Sequence, residues 1–217
     1  MEITYIGHSS FKIKGKEVTL VIDPYDPKIG YKFPKQECDV LLTTHDHFDH
    51  YYLEGVSGYK LHISRPGEYE ISDVFVNGIQ TFHDDKEGAE RGIDTMYLID
   101  IDGFSILHLG DLGCEISKEQ MERITNVDVL LIPVGGKYTI DAEVASKVIS
   151  SIEPSIVIPM HYKTDDLTGV EGLAPLSKFL DEMGVKEDSV RKEDKLKLTN
   201  RIDIPEETTV VVLEPKH

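Results

Sequence analysis

Thr43-Thr44-His45-Asp46-His47-Phe48-Asp49-His50 decides how the rest of this 217-residue chain is read, because His45, His47, Asp49 and His50 crowd into six positions. Asp39-Val40-Leu41-Leu42 just before it is a short apolar run of the kind that forms a buried strand. Tyr51-Tyr52-Leu53-Glu54 after it offers the start of a helix. The four side chains then belong to a strand-to-helix loop, where they can converge on one spot. In extended backbone alternate side chains share a face, so His45, His47 and Asp49 point together, and a tight turn brings His50 back. Such a loop can feed two ions. Imidazole and carboxylate without thiolate suit zinc, manganese or iron and do not separate these metals.

Working outward, Ile3-Thr4-Tyr5-Ile6, Ser10-Phe11-Lys12-Ile13 and Val18-Thr19-Leu20-Val21-Ile22 alternate as strands and are separated by Gly7 and Gly15. Residues 25–37, with Pro27, Gly30 and Pro34, form a loop that could rim an active site, and Tyr25, Tyr31 and Phe33 are its candidates for substrate contact. Downstream, Lys60-Leu61-His62-Ile63 and Val74-Phe75-Val76 read as short strands with a turn over Arg65 to Tyr69. His62 has no partner motif and is read as structural. Ile79-Gln80-Thr81-Phe82-His83 ends a strand in a histidine, followed by a polar, glycine-bearing loop to Gly92. Thr95 to Asp100 and Phe104 to Leu109 pair about Asp102-Gly103 and lead into Gly110-Asp111.

The second half alternates helices and strands. Ser117 with Gln120 is a capping-box pattern, so a helix follows it. Val127 to Val134 is a buried strand. Val144, Ala145, Val148, Ile149 and Ile152 recur at helical spacing after Asp141, and Glu153-Pro154 ends that helix. Ile156 to Met160 is a strand that delivers His161. Leu173 to Met183 supplies another helix, and Lys195 to Thr199 with Thr208 to Leu213 the closing strands. This order suggests two β-sheets packed face to face with helices outside.

Taken together, Asp23 in Val21-Ile22-Asp23-Pro24, the element His45-x-His47-x-Asp49-His50, His83, Asp111 in Leu109-Gly110-Asp111, and His161 in Pro159-Met160-His161-Tyr162 resemble the five motifs of the metallo-β-lactamase superfamily. Gly7-His8-Ser9-Ser10-Phe11 resembles the opening turn of its UlaG-like branch, whose named member is an ascorbate-6-phosphate lactonase. The resemblance spans most of the chain. It implies an α+β fold, the four-layer αββα sandwich, in a single domain over residues 1–217. It also implies two divalent metal ions, zinc first and manganese or iron as alternatives. His45, His47 and His83 would bind one, Asp49, His50 and His161 the other, and Asp111 both. Asp23 would brace the metal loop. Asp49 and His8 are the candidate catalytic residues, and His108 stands behind the ligands rather than among them. Leu112 departs from the hydroxyl residue that many relatives carry after the aspartate.

The activity this implies is metal-dependent hydrolysis of a small ester, lactone or phosphodiester. The sequence holds no Ser-His-Asp nucleophile elbow and no phosphate-cradling P-loop, nor an evident phosphate-gripping arginine cluster. The alternatives are a nuclease and a non-hydrolytic metal-binding or redox protein. Forty acidic against 23 basic residues give a formal charge of −17, which repels phosphate backbones and argues against a nucleic-acid partner. A di-iron redox role would need a flavin or another electron donor, for which this length leaves no domain. Cys38 and Cys114 lie far apart and outside any CxxC pair, as expected of free thiols in a reducing compartment. No apolar run is long enough to span a bilayer, and Met1 to Tyr5 leads straight into a strand without the features of a signal peptide. A cytoplasmic protein acting on a small-molecule substrate is expected, with homo-oligomerisation left open.

Overall fold

Leu20, Ile22, Val40 and Leu42 point one way from neighbouring parallel strands and Val21 and Leu41 the other, and both faces are covered. That double burial is why these strands read as continuous apolar runs instead of alternating with polar residues. The computed structural model describes residues 1–217. One sheet runs in the order Leu196–Lys197, Glu2–Gly7, Ser10–Lys14, Thr19–Ile22, Val40–Leu42, Leu61–Ile63. The other runs Arg191–Glu193, Thr209–Leu213, Ile156–Met160, Val129–Pro133, Phe104–His108, Ile93–Ile101, Val74–Phe82, Gly67–Ile71.

The core lies between the sheets. Ile3, Tyr5, Phe11 and Ile13 from the first meet Tyr97, Ile99, Val129, Leu131, Ile156 and Ile158 from the second. The alternate residues of the second sheet, among them Met96, Leu98, Leu130, Ile132 and Val157, face outward beneath helices α1 (Lys118–Arg123), α2 (Ala142–Ile152) and α3 (Leu176–Glu182). In α2 the buried positions Ala142, Ala145, Val148 and Ile149 fall on one stripe. Burying each Val or Ile there contributes about 1.5–3 kcal/mol. Asp141 caps it by accepting from the Val144 N–H at 3.0 Å, and the capping box over Ser117 and Gln120 starts α1. The face-to-face sheets with outer layers are the expected sandwich.

Four local expectations are corrected. The helix placed after Tyr51 is a single 3₁₀ turn, Leu53–Gly55, before chain pairing resumes at Val56–Ser57. Close packing limits it: a Cβ on Gly55 would lie 2.6 Å from the Phe33 ring. The outer cover of the first sheet is therefore built from loops and 3₁₀ turns. Tyr25, Tyr31 and Phe33 do not rim the site but pack beneath that cover, with Tyr25 edge-on to Tyr31 at 5.2 Å and to Phe33 at 4.9 Å. Burial of their large rings against Val21 and Leu41 wins over exposure at a loop. The turn at Arg65 to Tyr69 is already strand from Gly67. Helix α3 begins at Leu176 rather than Leu173, because the residue before Pro175 is held extended, its N–H donating to the Gly135 carbonyl.

Candidate metal centre

The first sheet delivers Asp23 and the His45–His50 loop just past its parallel strands Thr19–Ile22 and Val40–Leu42. The second delivers Asp111 and His161 just past Phe104–His108 and Ile156–Met160, with Val129–Pro133 parallel between them. Strand Val74–Phe82 ends in His83 at this same edge, because Phe82 pairs with Ile93 at the start of the next strand. His8 occupies the turn between Glu2–Gly7 and Ser10–Lys14. One backbone bond ties the two sheets here, from the His161 N–H to the His8 carbonyl at 2.8 Å.

Three of these residues have left-handed backbone: His8 (φ 56°), Asp23 (φ 47°) and His161 (φ 53°). Such a conformation costs a non-glycine residue about 1–2 kcal/mol, and it persists only where surrounding contacts fix it. Two glycines are sterically required. A Cβ on Gly135 would stand 2.0 Å from the His161 carbonyl oxygen, and one on Gly110 (φ 56°) 2.4 Å from Asp94 Oδ2.

The side chains form two adjoining groups. His45, His47 and His83 make one, and His8, Asp49, His50 and His161 the other. His45 and His50 also share a position with Asp111. Asp111 Oδ2 lies 3.2 Å from Nε2 of each of His50, His83 and His161. All are buried except His47, which is half-buried. The seven ligand candidates drawn from the sequence, with His8, thus meet at one place, whereas Tyr25, Tyr31 and Phe33 lie away from it in the core.

Hydrogen bonds fix which atoms face inward. Asp23 accepts from the Thr44 N–H and the Thr44 hydroxyl, both at 2.8 Å, and from His50 Nδ1–H at 2.9 Å. Because the Thr44 hydroxyl proton is committed to Asp23, Thr44 Oγ1 accepts from His45 Nδ1–H at 3.0 Å. Asp94 Oδ1 lies 3.2 Å from the same nitrogen. Nε2 of His45 and of His50 is thereby directed at the centre. The Tyr97 hydroxyl donates to the Thr43 carbonyl and the Tyr5 hydroxyl to the His8 carbonyl, each at 2.9 Å, so buried phenols brace both loops. His108 is spent within the protein: Nε2–H donates to the Ser9 carbonyl and Nδ1 accepts from the Gly110 N–H.

Burial pushes the Asp111 carboxyl up, but His161 and His50 outweigh it and hold it well below the ordinary range. Asp49 is likewise depressed against its burial, by His50 and the bond from His8. Burial favours neutral His50, yet Asp111, Asp49 and Asp23 raise it well above the ordinary imidazole value. His8 is pushed down to about 4 by burial and by His161, whose ring is 4.1 Å away, against the pull of Asp49. As a neutral imidazole it donates Nε2–H to Asp49 Oδ2 at 3.1 Å.

These residues fit divalent cations. Asp23, Asp49, Asp94 and Asp111 are all buried, and their ionic partners are histidines alone, with no lysine or arginine among them. An uncompensated buried carboxylate costs several kcal/mol, so this much negative charge requires positive charge at the same place. The Nε2 atoms of His45, His50 and His161 and Asp111 Oδ1 are also buried without a hydrogen-bonding partner. Nitrogen and oxygen donors of this kind suit zinc and its first-row neighbours.

Asp94 was not foreseen from the sequence. It falls in phase with the outward-facing Met96 and Leu98, and an acidic side chain at an apolar phase was the available signal. Its carboxylate, 3.2 Å from His45 Nδ1, places negative charge behind that ligand, so Asp94→Ala is expected to weaken metal affinity about 10–100-fold. Competition with a chromogenic chelator measures this; unchanged affinity would remove Asp94 from the centre.

A family profile described as the Beta-lactamase superfamily domain matches residues 2–161. Among solved structures, a candidate Zn-dependent hydrolase of the metallo-β-lactamase superfamily from Thermotoga maritima aligns with a TM-score of 0.78 and 34% identity, covering 98% of this chain and 97% of that one. A UPF0173 metal-dependent hydrolase of Thermococcus kodakarensis is 28% identical over 192 residues, 76% of this chain and 85% of its own. One from Lysinibacillus sphaericus is 27% identical over 197 residues, 76% of this chain and 86% of its own. With a buried histidine–aspartate centre at the shared edge of two packed sheets, the chain belongs to the beta-lactamase superfamily and is a metal-dependent hydrolase of the metallo-β-lactamase fold.

Proposed function

We propose that this protein hydrolyses a small ester, lactone or phosphodiester with two divalent cations, in the manner of the UlaG-like branch that Gly7 to Phe11 resembles. His45, His47 and His83 would hold one cation and Asp49, His50 and His161 the second, with Asp111 serving both. Support comes above all from Asp111 Oδ2, which three imidazole Nε2 atoms approach at 3.2 Å from two directions of the chain. Cations bound there supply Lewis acidity, lowering the pKa of water toward neutrality and stabilising charge on the substrate oxygen.

The protein's own groups do the remainder. A cavity of about 380 Å³ opens over the centre, lined by His47, Asp49, His83 and Asp111 together with Phe48, Arg91, Tyr138, Gly169 and Val170. It is sized for a small molecule. Asp49 reaches this cavity and accepts the proton of the attacking water, while His8 Nε2–H holds its Oδ2 in place. Asp23 keeps the His50 ring and Thr44 the His45 ring from rotating. No helix is long and apolar enough to cross a membrane, and the acidic chain disfavours a polyanionic substrate.

The test is elemental analysis of gently purified protein with hydrolysis of bis(p-nitrophenyl) phosphate and a simple lactone, before and after chelation. Near two metals per chain and chelator-sensitive turnover, restored by adding the metal back, are expected. Turnover that survives complete removal of metal would overturn the mechanism.

A further inference from the structure

Arg91 lines the cavity over the centre but has no part in the hydrolysis as described. Its loop is tied down from within. The buried Asp84 carboxylate accepts four backbone N–H groups, from Lys86 (2.8 Å), Gly88 (2.9 Å), Glu90 (2.9 Å) and Arg91 itself (2.7 Å). A loop gathered around one carboxylate presents the side chain at its end in a set place, and Arg91 is thereby delivered to the cavity wall.

The guanidinium is not consumed by the protein. Arg91 contributes only its backbone N–H to the hydrogen-bond network. Its one ion-pair partner is Glu90, at 3.9 Å, and both side chains are partly in solvent, an arrangement that holds little energy. Arg91 is the only lysine or arginine among the nine residues lining this cavity. In a chain of charge −17 the surrounding field repels anions, so a small anion entering here needs a cation close at hand.

The wall beside it is apolar. Arg91 Cζ lies 5.8 Å from the centroid of the Tyr138 ring, and Phe48 and Val170 line the same cavity. Phe48 is 47% exposed, an aromatic ring on the tip of the metal loop that the fold leaves uncovered. A planar, five-donor guanidinium in one cavity with exposed aromatic surface suits a ligand with an anionic head and an apolar body.

We propose that Arg91 is the specificity residue of this pocket, gripping a carboxylate or phosphate group on the substrate while an adjoining apolar part lies against Tyr138 and Phe48. This rests on the hydrolase reading above for its substrate, though not for its binding.

Calorimetric titration of the metal-loaded protein with 4-phenylbutyrate, 3-phenylpropylphosphonate and neutral 4-phenylbutyramide tests the grip without turnover. The two anions should bind at least about tenfold more tightly than the amide, and the tighter of them identifies the preferred head group. Arg91→Met should lose that preference, about tenfold, while keeping its metal content, and Arg91→Lys should restore part of it. Anion affinity unchanged in Arg91→Met would place the anion on the cations and overturn the proposal.

Kinetics provide a separate arm. The ratio of kcat/KM for mono-p-nitrophenyl glutarate over p-nitrophenyl acetate should fall about tenfold in Arg91→Met, through KM. An equal ratio in the two proteins would sink the specificity role. Absence of ester turnover in the wild type would instead count against the hydrolase reading, while the titrations still decide Arg91.

Discussion

Asp111→Asn is expected to lower metal-dependent turnover by about 10³-fold or more, the equivalent of the several kcal/mol that metal-ion catalysis contributes at about 1.4 kcal/mol per decade. The variant should also purify with clearly less metal than the wild type. The substitution preserves size, so the local packing should survive, and far-ultraviolet circular dichroism should match the wild type. What changes is the charge and donor character of one atom. Oδ2 now stands 3.2 Å from Nε2 of His50, His83 and His161. An amide in its place is a weaker ligand, and in one of its two orientations it presents N–H groups to nitrogens that must keep their lone pairs for metal. It also removes one of the four buried carboxylates whose charge attracts the cations. Metal content and turnover equal to wild type would show that Asp111 is not a ligand and that the two histidine groups are not joined through it.

Asp23→Ala should have the largest effect on stability. Asp23 is fully buried and accepts three hydrogen bonds, two from Thr44 and one from His50. Its loss strands the Thr44 N–H, the Thr44 hydroxyl and His50 Nδ1–H together. Breaking a buried charged pair of this kind costs about 3–5 kcal/mol. The left-handed backbone at φ 47° adds to it, since alanine tolerates that region less well than aspartate or asparagine. Asp23→Asn should lose less, because its amide oxygen still accepts from the Thr44 N–H, although its NH2 group confronts His50. Urea unfolding in the presence of chelator isolates this effect from metal linkage. A wild-type midpoint for Asp23→Ala would mean that the metal loop is held by something other than this carboxylate.

Most of the architecture was legible because apolar phase reports burial. The strands at Val40–Leu42, Val129–Pro133 and Ile156–Met160 and the stripe of α2 each announce themselves within about a dozen residues. Local pattern failed where tertiary packing set the outcome. Tyr25, Tyr31 and Phe33 sit in a loop rich in proline and glycine, which usually means exposure, yet they found an uncovered sheet face to fill. Tyr51 to Glu54 has helical composition, but the backbone bond from the Tyr52 N–H to the Pro24 carbonyl and the close approach at Gly55 leave room for one turn.

The centre divides along the same line. Donor types and their clustering are legible along the chain, since His45, His47, Asp49 and His50 are neighbours and His83, Asp111 and His161 each follow a strand. Which atoms face the centre, and what stands behind and above them, is settled by the packing of the two sheets. Asp94 meets His45 across 49 positions, Tyr97 meets Thr43 across 54, and Arg91 meets Phe48 and Val170 in one cavity. Such contacts depend on strand register and on how two sheets stack, both fixed by burial summed over the whole core, and no short stretch of sequence carries that sum.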